Sequence, residues 1–140
     1  MRNLFEVDAW KIMEHGFDPS KQQQAESIFS IGNGAFGQRA NFEETYSGAS
    51  LQGSYVGGVY YPDKTRVGWW KNGYPAYFAK VLNSCNWIGI NIEVDGEMLD
   101  LHVQKPSLFS RELDMQKGTL TRRFKVKFQQ GKELQVESVR

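Results

Sequence analysis

The strongest constraint on the fold is the alternation of apolar and polar residues in the second half of the chain. The run Trp87–Val94 turns at Asp95-Gly96 and returns as Met98–Val103. Successive side chains of a strand point to opposite faces of a sheet, so this period is typical of strands rather than helices. An Asp-Gly pair between two such runs is the strongest short-range signal for a hairpin. The sequence therefore predicts two antiparallel strands around Asp95-Gly96.

A second group of alternating runs follows directly. Ser110–Met115 turns at Lys117-Gly118 into Leu120–Phe128, and Gly131 then leads into Glu133–Arg140. Alternation of this kind is typical of antiparallel sheets with one buried and one solvated face. Two such faces pack against each other in a sandwich. We therefore predict a mainly β fold, an antiparallel β-sandwich with one or two short helices.

The first half of the chain is less regular. Leu4–Trp10 is predicted as an opening strand, and Asp18–Gln24 as a polar connection with at most one helical turn. Ser54–Tyr61 is predicted as a strand that its glycine pair weakens and that Pro62 ends. The apolar residues of Pro75–Asn83 fall on one helical face, with a proline at the start. This segment is predicted as the best helix of the chain.

A glycine cluster, Gly32, Gly34 and Gly37, spells the pattern G-x-G-x-x-G after an apolar run. In a dinucleotide-binding protein this pattern opens a helix, and an acidic residue follows about twenty positions later. Here residues 37–58 include five glycines, which would cost a helix about 1 kcal/mol each. No acidic residue lies between Glu44 and Asp63. A nucleotide-binding protein is therefore an alternative with little local support.

The simpler interpretation of the cluster is a structural turn. Gly32, Asn33 and Gly34 supply the residue types that accept a positive φ angle. The turn would join two strands, Ser27–Ile31 and Ala35–Phe42, and Gly37 would lie in the second of them. The glycines then serve backbone geometry rather than a cofactor.

Composition excludes several classes of protein. Lys and Arg number 17 against 16 Asp and Glu, so the chain shows no charge excess for nucleic acid or anionic lipid. One cysteine, Cys85, with His15 and His102, forms neither an intrachain disulfide nor a metal site. No signal peptide and no apolar run of membrane-spanning length is visible. We therefore expect a cytoplasmic protein without metal, membrane or nucleic-acid partners.

An aromatic segment is the best local candidate for contact with a ligand or another domain. Aromatic residues make up 14% of the chain, and five candidate contact residues lie close together: Trp69, Trp70, Asn72, Tyr74 and Tyr77. Aromatic planes pack on the C–H faces of sugar rings, and an amide bonds hydroxyl groups. Tryptophan and tyrosine are equally typical of domain interfaces and cores, which is the favoured interpretation.

Four further side chains carry definite expectations. Arg39 is expected to form an ion pair with Glu43 or Glu44, although an arginine there could also clamp a phosphate or carboxylate. Glu43 and Glu44 are adjacent, so on a strand they would point to opposite faces and could not flank one glycosidic bond. One would be solvated and the other would cap the next turn. Cys85 is expected to be a small buried group.

Three ordered blocks of sequence resemble one known family. The first is Glu26–Glu44, ESIFSIGNGAFGQRANFEE, and the others are Gly53–Tyr60 and Leu113–Arg122. Together they resemble the amino-terminal part of glycoside hydrolase family 65, the group of maltose, trehalose and kojibiose phosphorylases and related α-glucosidases. Ala40 stands where that family usually has glycine. The resemblance spans most of the chain.

The resemblance implies an amino-terminal β-sandwich, part of a galactose-mutarotase-like super-sandwich, placed before an (α/α)6 barrel. In that family the catalytic glutamate and the phosphate-binding residues belong to the barrel, and the reaction inverts the anomeric centre. The resemblance therefore implies that this chain holds no catalytic residue. It implies no cofactor, with inorganic phosphate as co-substrate if the parent enzyme is a phosphorylase.

The same resemblance implies partners. They are the barrel domain of the same protein, an α-linked gluco-disaccharide as substrate of the parent enzyme, and a second copy in a homodimer. Residues 1–140 are expected to be one domain, cut at its carboxyl end, because the last strand still alternates at Arg140. A stand-alone carbohydrate-binding module that uses the Trp69–Tyr77 segment is the alternative.

Overall fold

The computed structural model describes residues 4–65 and 75–140. These ranges contain a 3-10 turn at Pro19–Lys21, the helix α1 (Gln22–Ile28) and twelve strands. The strands are β1 (Phe5–Val7), β2 (Lys11–His15), β3 (Ile31–Gly32), β4 (Phe36–Gln38), β5 (Ser54–Val56), β6 (Tyr60–Lys64), β7 (Tyr77–Val81), β8 (Glu93–Val94), β9 (Glu97–Met98), β10 (Leu108–Asp114), β11 (Thr119–Lys127) and β12 (Glu133–Val139). All their pairings are antiparallel, and the predicted mainly β fold with a short helix is confirmed.

The largest sheet has five strands in the order β1-β2-β10-β11-β12. Its centre is the predicted hairpin of β10 and β11, in which Leu113 lies opposite Leu120. The Asp114 carboxylate accepts hydrogen bonds from two backbone N–H groups of the turn, and Gly118 there has a φ of 66°. Such side-chain acceptance and a left-handed glycine are what a tight turn requires. The prediction of this hairpin and of β12 is confirmed.

The chain opens with a hairpin rather than a single strand. The predicted strand Leu4–Trp10 is correct only for β1, because the Asp8 carboxylate accepts hydrogen bonds from the backbone N–H groups of Trp10 and Lys11. This turn leads into β2, which pairs with both β1 and β10. The opening segment thus joins the five-stranded sheet through a strand that the alternation did not reveal.

Helix α1 covers one end of the inner face of this sheet. Ala25 and Phe29 are fully buried and pack with Ala40, Leu113 and Leu120. Predicting a strand over Ser27–Ile31 was therefore wrong, since the helix runs to Ile28 and only the two residues of β3 are extended. The buried face of the helix includes the polar residue Gln22. The sequence therefore lacks the apolar residues at every third or fourth position by which an amphipathic helix is recognised.

A second core cluster covers the other end of the inner face. Its members are apolar residues of β10, of β11 and of the segments that follow β4, β9 and β11: Phe42, Leu99, Leu101, Phe109, Phe124, Val126 and Phe128. The predicted strand Ala35–Phe42 is strand only over β4, and Phe42 leaves it to enter this cluster. Two layers thus enclose the core, the five-stranded sheet and the mixed layer of α1, short strands and connecting segments.

The glycine pair Gly57-Gly58 divides one predicted strand into two strands of different sheets. β5 pairs with β4, whereas β6 pairs with β7 in a two-stranded ribbon. The expectation that Pro62 ends the strand was wrong, because Pro62 lies within β6 opposite Ala79. Among the described strands, β7 is the one partner of β6, so the other edge needs no N–H donor and tolerates a proline.

The predicted helix Pro75–Asn83 is also wrong. Its central part is strand β7, paired along its length with β6. Pairing with a partner strand outweighs a weak local preference, because intrinsic propensities differ by only about 1 kcal/mol per residue.

The Asp95-Gly96 hairpin is confirmed. β8 and β9 are shorter than predicted, but Asp95 and Gly96 have φ angles of 52° and 82°. Two successive positive φ angles define the hairpin turn that Asp-Gly favours. None of the helices in residues 4–65 and 75–140 is long and apolar enough to span a membrane.

Candidate functional site

Four of the five predicted contact residues, Trp69, Trp70, Asn72 and Tyr74, lie outside the described residues. Tyr77 lies in β7, opposite Lys64 of β6, and its side chain is 54% exposed. The interpretation of the aromatic segment as a ligand or interface site therefore stays a prediction, with a described position for Tyr77 alone.

The β6–β7 ribbon presents aromatic side chains on both of its faces. Tyr60, Tyr61, Tyr77 and Phe78 are all exposed. Neighbouring positions of a strand point to opposite faces, so the residues of the described structure cover neither face of this ribbon. A two-stranded ribbon is at best marginally stable in water unless it packs on another element. This ribbon, which we call the β6–β7 arm, is thus suited to pack against a surface outside the described residues.

The glycine cluster forms the turn between β3 and β4. The Asn33 carboxamide oxygen accepts hydrogen bonds from the backbone N–H groups of Ala35 and Phe36, at 3.0 and 2.8 Å. Gly34 has a φ of 86°, and a Cβ on Gly32 would lie 3.0 Å from the Phe36 carbonyl oxygen. These residues therefore shape the backbone, and in residues 38–65 and 75–140 no helix follows Gly37 to aim N–H groups at a phosphate.

Three clefts share Gly37 in their linings. The largest, of about 510 Å³, lies between the end of α1 and β5, and the other two flank Phe36. We call the surface around Gly37 and Tyr55 the Gly37 face and define it by Gly37, Tyr55, Tyr60 and Val81, which line one cleft together. Phe36 and Trp87 are both exposed and stack edge to face with ring centroids 5.8 Å apart.

Arg39 lines the largest of these clefts. Its guanidinium donates hydrogen bonds to the Ser27 hydroxyl at 2.7 Å and the Tyr55 hydroxyl at 3.4 Å. The expected ion pair of Arg39 with Glu43 or Glu44 is therefore wrong. Both carboxylates are held by other arginines, which lie far away in sequence.

Glu43 and Glu44 bind the same arginine, Arg122 of β11. Arg122 makes two hydrogen bonds to Glu44, each of 2.6 Å, and one to Glu43 of 2.5 Å. The expectation that the two carboxylates diverge was wrong, because residues 43 and 44 form a bend rather than a strand. Neither is simply solvated. A fork of donors matched to a carboxylate is the geometry in which arginine binds most strongly.

Arg140, which directly follows β12, completes this cluster. It donates to the Glu43 carboxylate at 2.6 Å and to the backbone carbonyls of Arg39 and Asn41. Burial acts to raise the pKa of Glu43, but the charge of Arg122 and the hydrogen bond and charge of Arg140 outweigh it, so this pKa is lowered. Glu43 is thus an ionised structural group rather than a proton donor.

A second buried arginine, Arg111 of β10, lies between the two core clusters. Its Nε is 3.0 Å from a Glu14 carboxylate oxygen, although the two are not aligned for a hydrogen bond. It donates to the Ala40 carbonyl oxygen and the Gln22 side chain, and the Phe42 ring packs on its guanidinium. Burial lowers the pKa of Arg111 to about 10, and burial likewise raises the pKa of Glu14.

The sequence analysis did not identify the two buried arginines, Arg111 and Arg122, although the sequence contains one signal for them. Arg122 shares the buried face of β11 with Leu120, Phe124 and Val126, so the alternation places a charge in the core. Its partners Glu43 and Glu44 are 79 and 78 residues away. No local pattern connects residues at that separation. These clusters hold the loop between β4 and β5 on the sheet, and an arginine lies beside each of the carboxylates of Glu14, Glu43 and Glu44.

The remaining candidate side chains bring no chemistry together. Cys85 is exposed, so the expectation of a buried thiol was wrong. His15 and His102 are also exposed, and His102 stacks edge to face on Tyr46. No group of three potential metal ligands occurs within the part of the chain that the structure describes.

Comparison with known proteins places this β-domain in a class of carbohydrate-active enzymes. Residues 12–140 match the family model described as glycosyl hydrolase family 65, N-terminal domain. The chain belongs to glycosyl hydrolase family 65, as its three sequence blocks predicted, and it corresponds to the N-terminal domain.

Two curated relatives and one solved structure illustrate the similarity. Maltose phosphorylase of Bacillus subtilis is 52% identical over 91% of this chain, and α,α-trehalose phosphorylase of Thermoanaerobacter brockii is 35% identical over 96%. A solved structure called "Putative kojibiose phosphorylase from human microbiome" is 34% identical over 96% of this chain, with a TM-score of 0.80. The chain spans only 17 to 18% of the length of these three proteins.

Proposed function

We propose that this chain is the non-catalytic N-terminal domain of an inverting α-glucoside phosphorylase or hydrolase. It serves as a scaffold and interface for an (α/α)6 catalytic barrel in the same protein, and the parent enzyme acts on an α-linked gluco-disaccharide. The observation that carries the proposal is the match of residues 12–140 to an N-terminal family domain, in relatives five to six times as long. The cytoplasm is the proposed location.

The described carboxylates support a scaffold rather than a catalytic role. An inverting hydrolase needs one protonated carboxyl and one carboxylate on opposite sides of the bond, about 6.5–9.5 Å apart. Glu43 and Glu44 instead share Arg122, and Glu26 accepts hydrogen bonds from Gln22 and Ser50. Chemistry is therefore assigned to the barrel, with inorganic phosphate as co-substrate if the parent is a phosphorylase.

The test is to express the whole reading frame that contains these residues beside the 140-residue chain alone. The whole protein is expected to cleave maltose with release of a glucose phosphate when inorganic phosphate is present, and the short chain is expected to be inactive. Trehalose and kojibiose serve as linkage controls. Cleavage by the short chain, or a reading frame that ends at Arg140, would contradict the proposal.

A stand-alone carbohydrate-binding module is the second candidate. The exposed rings of Tyr60, Tyr61, Tyr77 and Phe78 favour it, since aromatic surfaces pack on sugar rings. Titration of the 140-residue chain with maltose, read by tryptophan fluorescence, would support it if binding saturates and is lost in Trp70→Ala. The unchanged binding of Trp10→Ala is the matched control.

A further inference from the structure

We propose that the cleft around Arg39 binds the phosphate group of a small phosphomonoester, such as a sugar phosphate. We call it the Arg39 cleft and define it by five of the residues that line it: Ser27, Ile31, Arg39, Tyr55 and Val81. This inference goes beyond the proposed function, because it gives the domain a ligand of its own. It rests on described residues alone.

The first argument is that Arg39 has no acidic partner among the described residues. Five arginines are described, and the other four lie within 4.0 Å of a carboxylate. The Arg39 guanidinium instead contacts two neutral hydroxyls, and no described residue that lines the cleft is acidic. An arginine side chain is always charged in a protein. The cleft therefore carries a positive charge that attracts an anion.

The second argument is an excess of hydrogen-bond donors at this charge. Arg39 donates from Nη1 to the Ser27 hydroxyl at 2.7 Å and from Nε to the Tyr55 hydroxyl at 3.4 Å. Within the described part of the chain, the Nη2 group of Arg39 and the O–H of Tyr55 have no acceptor. These donors lie side by side, because the Tyr55 oxygen contacts the guanidinium. They match a ligand that is rich in acceptors.

The third argument selects phosphate among the anions. A phosphate group presents three acceptor oxygens, whereas a carboxylate has two. The fork of a guanidinium binds two phosphate oxygens side by side. The third oxygen is then left for the O–H of Tyr55. A phosphate thus uses both donor groups of the cleft, and a carboxylate uses the guanidinium alone.

The fourth argument is that the surrounding backbone holds these groups in place. The Arg39 N–H donates to the Gly53 carbonyl oxygen at 2.8 Å, and the Arg39 carbonyl accepts from Arg140 at 3.2 Å. A Cβ on Gly53 would lie 2.6 Å from the Tyr55 hydroxyl and 2.8 Å from Cδ of Arg39. This glycine therefore makes room for the two side chains to meet. A site that is ordered before binding loses less entropy when the ligand arrives.

The apolar part of the lining indicates what carries the phosphate. Ile31, Val81 and the Tyr55 ring line the same cleft, whose volume is about 510 Å³. Pockets for small molecules typically have volumes of about 300–1,000 Å³ and apolar walls on which a sugar ring packs. Inorganic phosphate occupies only the polar end. A sugar phosphate uses both parts of the cleft and is expected to bind more tightly.

The experiment is modification of the whole protein with phenylglyoxal, an arginine reagent, with the rate at each arginine read by mass spectrometry. Glucose 6-phosphate at millimolar concentration is expected to slow the modification of Arg39 several-fold. Inorganic phosphate is expected to slow it less, and glucose is expected to leave it unchanged. Arg123, which is exposed and paired with Glu137, is the control and is expected to react at one rate throughout.

A pair of variants tests the phenol donor. Tyr55→Phe keeps the aromatic ring and removes the O–H, so protection of Arg39 by glucose 6-phosphate is expected to weaken several-fold. Without ligand, Arg39 is expected to react in this variant as it does in the unaltered protein. Tyr61→Phe removes an exposed phenol outside the cleft and is expected to leave the protection unchanged. Equal protection in the two variants would overturn the site as described.

Further outcomes would overturn the inference. An Arg39 that does not react without ligand shows a cleft closed to ligands in the whole protein. Equal protection by sodium chloride at the same ionic strength shows screening of a charge rather than a site. Protection by inorganic phosphate alone excludes a phosphomonoester. The assay needs no turnover, so a protein that fails to cleave maltose would contradict the proposed function and leave this inference standing.

Discussion

At the scale of single residues, buried arginines connect parts of the chain that are far apart in sequence. Arg122 joins β11 to Glu43 and Glu44, and Arg111 joins β10 to Gln22 and the Ala40 carbonyl. Each guanidinium also packs on aromatic rings, including that of Phe42. A charge placed in a core is tolerated only when its donors and its charge are matched. These matched groups therefore define how the loop between β4 and β5 lies on the five-stranded sheet.

The first prediction compares two neighbouring arginines of β11. Arg122→Ala is expected to destabilise the domain by about 3–5 kcal/mol, because it leaves Glu43 and Glu44 buried without their cation. Arg123→Ala removes only an exposed pair with Glu137 and is expected to have a much smaller effect. Urea unfolding of the 140-residue chain measures both. Similar midpoints for the two variants would show that the buried cluster does not contribute as described.

The second prediction concerns the pH dependence of stability. The folded-state pKa of Glu43 is lowered, so its contribution is complete above the unfolded-state value and is lost as the pH falls through the folded-state value. Glu43→Gln is thus expected to flatten the loss of stability between about pH 5 and about pH 2. Unfolding midpoints measured across this range provide the test.

Glu14 supplies the control of opposite sign. Burial raises its folded-state pKa, so its ionisation reduces stability as the pH rises through the region above the unfolded-state value. Glu14→Gln is therefore expected to remove a loss at rising pH rather than at falling pH. If both variants changed the same limb of the curve, the assignment of Glu43 as the acid-sensitive group would be wrong.

At the scale of elements, alternation and turn chemistry predicted the parts of the fold that depend on near neighbours. The hairpins at Lys117-Gly118 and Asp95-Gly96 form where the sequence indicates. Helix α1 and strand β7 were predicted wrongly, because the buried face of the helix carries Gln22 and because β7 depends on a partner strand. The arginine clusters could not be predicted from the sequence either, because the partners of each arginine lie in distant segments of the chain.

The third prediction tests the glycine turn between β3 and β4. Gly34→Ala is expected to cost about 1 kcal/mol, because Gly34 has a φ of 86° that residues with a Cβ adopt at that expense. Gly37→Ala is expected to be tolerated, since the nearest atom to its new Cβ is a Tyr55 carbon at 3.8 Å. Thermal unfolding of the two variants gives the comparison. Greater damage from Gly37→Ala would refute a purely conformational role for this turn.

At the scale of the whole molecule, the domain has two unlike surfaces. Its five-stranded sheet presents paired charges outward, whereas the Gly37 face and the β6–β7 arm present aromatic and aliphatic side chains. A protein in solution seldom leaves a contiguous apolar surface uncovered. The 140-residue chain on its own is therefore expected to associate with itself.

The fourth prediction uses two valines of matched exposure to locate that association. Val81 is 64% exposed on the Gly37 face and Val139 is 61% exposed on β12. Val81→Lys is expected to shift sedimentation of the 140-residue chain toward the monomer, and Val139→Lys is expected to leave it unchanged. A clean monomer for the unaltered chain, with no binding of an apolar dye, would contradict the expectation.

The contacts of Arg140 have a consequence for the order in which the domain folds during synthesis. Glu43 leaves the ribosome long before its partner, because 97 residues separate the two. Until β12 has joined β11, the segment from Arg39 to Glu43 lacks the hydrogen bonds that Arg140 donates to the Glu43 carboxylate and to the carbonyls of Arg39 and Asn41. Long-range contacts of this kind slow folding, because the intervening chain must be ordered first. We therefore expect the amino-terminal half of the domain to complete its folding only after the last residues of β12 have emerged from the ribosome.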